Sequence, residues 1–82
     1  IVAGNWKMNG RIDQIKNLLQ QLIKLVDPKG RAQCVVMPPS IYLPLVSELL
    51  YESDIELGAQ NVYPEDAGAY TGEISAPMLQ DY

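Results

Sequence analysis

A chain of 82 residues with 48% hydrophobic content has the make-up of one small packed domain, and its formal charge of −4 excludes the basic surface that nucleic-acid binding requires. A single cysteine, Cys34, excludes an internal disulfide, and the absence of histidine excludes a catalytic histidine among these residues. No apolar run reaches membrane-spanning length and no signal-peptide plan is present, so the expectation is a cytoplasmic protein with no membrane partner.

The first ten residues, Ile1-Val2-Ala3-Gly4-Asn5-Trp6-Lys7-Met8-Asn9-Gly10, read as a strand running into a turn. On an extended backbone residues two apart share a side, so Asn5 and Lys7 are expected to project together with Trp6 between them. If this strand is parallel and buried, its carboxyl end is where an α/β protein places chemistry, and an amide beside an ammonium there is an anion-seeking pair. The same residues also fit a strand end capped in solvent by Lys7, followed by an ordinary Asn9-Gly10 turn. Arg11 is the only other basic residue near this loop, and Lys29 with Arg31 reads as solvated surface.

Apolar residues at Ile12, Ile15, Leu18, Leu19, Leu22, Ile23, Leu25 and Val26 have the three-and-four spacing of an amphipathic helix. Asp13 suits the positive end of its dipole, and Asp27-Pro28-Lys29-Gly30 supplies the stop. The run Ala32-Gln33-Cys34-Val35-Val36-Met37 then reads as a parallel strand covered on both faces, with Cys34 a core thiol rather than a nucleophile. Ser40 is placed to cap a second helix that reaches to about Ser53, its regular part beginning at Pro44 and its buried stripe formed by Leu45, Val46, Leu49 and Leu50.

A third strand is expected over Ile55-Glu56-Leu57-Gly58-Ala59-Gln60, one or two residues after that helix. The order is therefore βαβαβ, and right-handed crossovers predict adjacent parallel strands in the order 1-2-3. Residues 61–75 have neither helical nor strand period, yet Val62, Tyr63, Ala67, Ala69, Tyr70 and Ile74 make the segment too apolar for a solvated flap or a linker. Tyr63 and Tyr70 fit packing within their own loop as well as an interface, where aromatic residues are enriched. Ser75-Ala76-Pro77-Met78 opens a helix, with Ser75 as cap and Pro77 in the first turn, and Met78, Leu79 and Tyr82 begin its apolar stripe. A start at Ile1 without methionine and a finish inside a helix are both expected of a piece of a longer chain.

Two blocks carry a resemblance. Ala3-Gly4-Asn5-Trp6-Lys7-Met8-Asn9 resembles the opening strand and loop of the triosephosphate isomerase family, and Gly58-Ala59-Gln60-Asn61-Val62-Tyr63 through Gly68-Ala69-Tyr70-Thr71-Gly72-Glu73-Ile74-Ser75 resembles its third strand and third loop. The resemblance implies an α/β fold in which residues 1–82 are the first three strand–helix units of a (β/α)₈ barrel of about 250 residues, with no internal domain boundary. It implies interconversion of two triose phosphates through an enediolate, without cofactor or metal.

Asn5 and Lys7 match the family's substrate-contacting asparagine and lysine, and Lys7 would be the catalytic cation of this segment. Gln60, Asn61, Tyr70, Thr71, Gly72 and Glu73 fall on the loop that enters the twin subunit of a homodimer, Thr71 at its tip. The family's catalytic histidine and glutamate would lie beyond Tyr82, so this segment alone is expected to be inactive. Two other readings are a non-enzymatic association piece that uses residues 61–75, and a different phosphate-binding α/β protein. The second needs a glycine-rich phosphate loop, and Gly4-Asn5-Trp6-Lys7-Met8-Asn9-Gly10 matches neither G-x-G-x-x-G nor G-x-x-x-x-G-K-[ST].

Overall fold

Residues 1–26 and 29–82 are described by a computed structural model of the chain. Three short strands, β1 (Val2–Asn5), β2 (Cys34–Met37) and β3 (Ile55–Leu57), form one parallel sheet in the order β1-β2-β3. Helix α1 (Ile12–Leu25) joins the first pair, and a 3-10 turn (Ser40–Tyr42) running into α2 (Leu43–Leu50) joins the second. A short α3 (Ala76–Gln80) follows the long loop. The predicted βαβαβ order is therefore realised, because each crossover returns the chain to the same side of the sheet and lays the next strand beside the last.

The register places Asn5 opposite Met37, and Val36 opposite Leu57. Pairing continues past the strand ends: the Val2 N–H donates to the Gln33 carbonyl at 2.7 Å and the Gly58 N–H to the Val36 carbonyl at 2.9 Å. These bonds leave the carboxyl ends of all three strands at one rim of the sheet.

Both helices cover the same face. Ile15 and Leu19 of α1, Val46 and Leu50 of α2, Val36 of β2 and Ile55 of β3 form one buried cluster. Each such aliphatic side chain contributes roughly 2 kcal/mol when removed from water. Alternation sends Val35 and Met37 to the opposite face, where they are only half-buried. Coverage of β2 on both faces is thus not met among the described residues, since right-handed crossovers put α1 and α2 on one side. Cys34 is half-buried against the cluster, as a core thiol should be.

Strand β1 is parallel, but all four of its residues are exposed, because it is an edge strand whose outer side has no neighbour among the described residues. The amphipathic stripe of α1 is likewise half used. Ile15 and Leu19 are buried and Leu22 and Val26 lean on the core, while Ile12, Leu18, Ile23 and Leu25 remain exposed. Asp13 occupies the first turn as expected, and of the predicted stop Asp27 and Pro28 lie outside the described residues.

The remaining corrections concern ends. Strand β2 begins at Cys34 rather than Ala32, and β3 stops at Leu57 rather than Gln60. Ser40 does not cap α2; it opens the 3-10 turn, and Pro44 sits inside the first turn of a helix that begins at Leu43. That helix ends at Leu50, short of Ser53, because Glu52 turns left-handed at φ 68° and the Ser53 hydroxyl accepts the Ile55 N–H to start β3. Ser75 caps α3 as predicted, its hydroxyl accepting the Met78 N–H at 3.4 Å. No helix among the described residues is long and apolar enough to cross a membrane.

Candidate functional site

At the carboxyl rim the chain leaves β1 by a turn that presents Lys7. The strand ends at Asn5, and the Trp6 N–H still donates to the Met37 carbonyl at 3.1 Å. Lys7 then adopts φ 56°, a left-handed conformation that costs a side-chain-bearing residue roughly 1–2 kcal/mol. The two-residue alternation therefore does not reach Lys7, and its juxtaposition with Asn5 has another cause. The Asn5 side-chain oxygen accepts the Lys7 backbone N–H at 2.8 Å, closing a local side-chain turn. A second local bond, from the Asn9 amide to the Trp6 carbonyl at 2.9 Å, closes the turn from the other side. Lys7 itself is exposed at the rim.

The neighbouring units reach into this turn. The Gln60 amide nitrogen, just past β3, donates to both the Lys7 carbonyl at 3.0 Å and the Met37 carbonyl at 2.9 Å. From the 3-10 turn, the Tyr42 hydroxyl donates to the Gly10 carbonyl at 3.1 Å. Gly10 stands at φ 137°, and a Cβ there would lie 3.2 Å from Ile15 Cδ1 and 3.3 Å from Tyr42 Cε2. The backbone conformation favours glycine, and a side chain would press on both neighbours. Gly10→Ala in the full-length protein is expected to lower stability by about 2 kcal/mol, read as a lower urea midpoint at unchanged m.

The long loop is closed on itself. Its ends meet where the Tyr63 N–H donates to the Ile74 carbonyl at 2.8 Å, with Tyr63 and Ser75 bridged in parallel. Inside, the rings of Tyr63 and Tyr70 stack with centroids 4.4 Å apart, and Gly68 at φ 142° passes so close under Tyr70 that a Cβ would meet the ring at 2.6 Å. The apolar content of the segment is thus partly spent within the loop. Tyr70, Thr71, Gly72 and Glu73 are exposed, and nothing lies within 4 Å of where a Gly72 Cβ would be. A hollow bordered by Ser40, Leu43, Gln60, Asn61 and Glu73 separates this loop from the start of α2.

The rim thus brings together Asn5, Lys7 and Gln60, whereas Tyr70, Thr71, Gly72 and Glu73 belong to the projecting loop and Asn61 to its exposed base. A model of the triosephosphate isomerase family matches residues 1–82, the whole of the chain. The chain belongs to the triosephosphate isomerase family. It is 60% identical over 82 residues to the triosephosphate isomerase of Legionella pneumophila strain Lens, which covers all of this chain and 33% of that protein. Against the triosephosphate isomerase of Clostridium tetani the identity is 45% over 80 residues, covering 98% of this chain and 31% of the relative. Against that of Rhodopirellula baltica it is 41% over 81 residues, covering 99% and 32%. The chain spans about a third of the length of the curated relatives it matches.

Two residues of this triosephosphate isomerase family member, Gln60 and Tyr42, make contacts with the lysine turn that only the fold supplies. Gln60, exposed just past β3, uses its amide nitrogen to bridge two strand ends of its own chain. Tyr42 was unassigned, and only the fold brings its hydroxyl to the lysine turn 32 residues earlier. No short-range pattern announces either contact.

Proposed function

We propose that the full-length protein is a triosephosphate isomerase, interconverting dihydroxyacetone phosphate and glyceraldehyde 3-phosphate by proton transfer between adjacent carbons through an enediolate. Residues 1–82 are then the amino-terminal part of a single (β/α)₈ domain, its first three strand–helix units, with no internal boundary. The observation that carries the reading is the family match over the whole chain, together with Lys7 presented at the carboxyl rim of a parallel sheet.

In this reading Lys7 supplies electrostatic stabilisation. Its ammonium faces the dianionic phosphate and the negative charge that grows on the enediolate oxygen, and a charge held in place before the reaction needs no reorganisation during it. Asn5 uses its side-chain oxygen on the Lys7 N–H, which leaves its amide nitrogen to donate to the substrate. No cofactor or metal enters the scheme, and a cytoplasmic location accords with a small diffusible substrate. The test is an assay of the purified full-length subunit with glyceraldehyde 3-phosphate. Isomerisation to dihydroxyacetone phosphate is expected, and its absence above host background would overturn the assignment.

The loop formed by residues 61–75 is the contact between subunits of a homodimer in the same reading. The exposure of Asn61, Tyr70, Thr71, Gly72 and Glu73 supports it, as does the tying of the loop's base, which lets the tip project without melting. Gln60, its amide nitrogen engaged within its own chain, would keep its side-chain oxygen to accept across that contact. In a structure of the full-length assembly, Thr71 is expected against Asn5 or Lys7 of a second subunit. An assembly that leaves residues 61–75 in solvent would exclude this arrangement.

A further inference from the structure

We propose that Gln60 and Tyr42 are positioning residues that clamp the lysine turn at both ends, so that the placement of Lys7 is set by the second and third strand–helix units. The inference rests on the isomerase reading of Lys7. The turn's own two side-chain bonds, from Asn5 and Asn9, close small rings within it and fix neither end relative to the sheet beyond Trp6. Left to these, a lysine at φ 56° has an extended alternative of lower energy.

Gln60 removes that alternative. Its planar amide nitrogen carries two hydrogens, and both are taken by carbonyls, one from the exit of β1 and one from the exit of β2. Because both partners only accept, the nitrogen rather than the oxygen must face them, and the amide spans the two exits at a fixed separation. Fixing the Lys7 carbonyl fixes the plane of the peptide that follows Lys7, and with it the direction in which the lysine side chain leaves the backbone. Tyr42 does the same downstream. Its half-buried ring packs on the core, its hydroxyl holds the Gly10 carbonyl, and the positive φ of Gly10 brings the backbone against the ring.

The test uses the full-length protein with Gln60→Met, which keeps the length and removes both donors, and Tyr42→Phe, which keeps the ring and removes the hydroxyl. For glyceraldehyde 3-phosphate, kcat/KM is expected to fall about 30-fold with Gln60→Met, the scale of a misplaced catalytic group. Tyr42→Phe is expected to cost about fivefold, the factor of one hydrogen bond. The deciding readout is coupling to the lysine: in a Lys7→Ala background the same substitutions should change kcat/KM less than twofold, because no ammonium is left to misplace. Equal penalties in both backgrounds would assign the two residues to general stability and overturn the clamp. Wild-type activity with both single variants within twofold of it would also overturn the clamp, whereas an inactive wild type would instead overturn the isomerase reading beneath it. Should Gln60→Met not fold, Tyr42→Phe alone decides by the same comparison.

Discussion

Lys7→Ala in the full-length subunit is expected to lower kcat/KM by about two orders of magnitude or more while leaving the melting temperature within a few degrees of wild type. A preorganised charge aimed at a developing oxyanion stabilises the transition state by roughly 3 kcal/mol. Lys7 is exposed, so its truncation opens no cavity, and alanine at φ 56° carries the same backbone strain. The backbone bonds to the turn, from Gln60 to the Lys7 carbonyl and from the Lys7 N–H to Asn5, survive the substitution. A companion, Lys7→Gly, sharpens the separation of function from folding. Glycine relieves the left-handed strain, so this variant is expected to be at least as stable as Lys7→Ala and equally inactive. Steady-state kinetics and thermal melting of the three proteins check both halves, and near-normal kcat/KM in either variant would remove Lys7 from the site.

The parts of this fold that were legible in the sequence are those set by local periodicity and chain-crossing rules. The spacing of Ile15 and Leu19 marks the buried line of α1, the serine and proline of Ser75-Ala76-Pro77 mark the start of α3, and right-handed crossovers are enough to order the strands β1-β2-β3. Periodicity says which residues can be buried and not what covers them. Leu18 and Leu25 have the right spacing and stay exposed because no described element lies over them.

The residues of the site were legible through the family resemblance, but their geometry was not. Asn5 and Lys7 stand two residues apart in the sequence, and the simplest inference from that spacing, a shared strand face, fails at the first residue beyond the strand. The left-handed Lys7 depends on a carbonyl bond from Gln60, 53 residues away, and no local preference of lysine encodes such a bond. The tyrosines of the long loop differ again: Tyr63 and Tyr70 pack against each other at a tilt, and Gly68 leaves room for the Tyr70 ring, a tertiary detail hidden in a segment without period.

The 82-residue chain expressed by itself is expected to show no isomerase activity and to self-associate rather than melt as a cooperative monomer. Moving a proton between neighbouring carbons needs a base poised over those carbons and an acid at the oxygens. These residues hold no histidine, and Glu73 of the long loop is an exposed, solvated carboxylate with no hydrogen bond to the lysine turn among the described residues. The electrostatic part of the reaction would be present without a group to take the proton. Association follows from surface. Val2 of the edge strand is 61% exposed and Leu25 of α1 is 80% exposed, so apolar side chains stand next to an unpaired strand edge. The outer edges of β1 and β3 have no neighbouring strand among the described residues, so their backbone groups can pair with another copy, and three strands cannot close on themselves as a barrel does. Seven buried hydrophobic residues among those described are a small core to set against the chain entropy of 82. Purified free of host isomerase, the piece should sediment as mixed oligomers and give a broad thermal transition. A monodisperse monomer with a sharp melt would show that the one covered face of the sheet is enough for folding, and turnover of glyceraldehyde 3-phosphate would mean that a base other than the family's can serve.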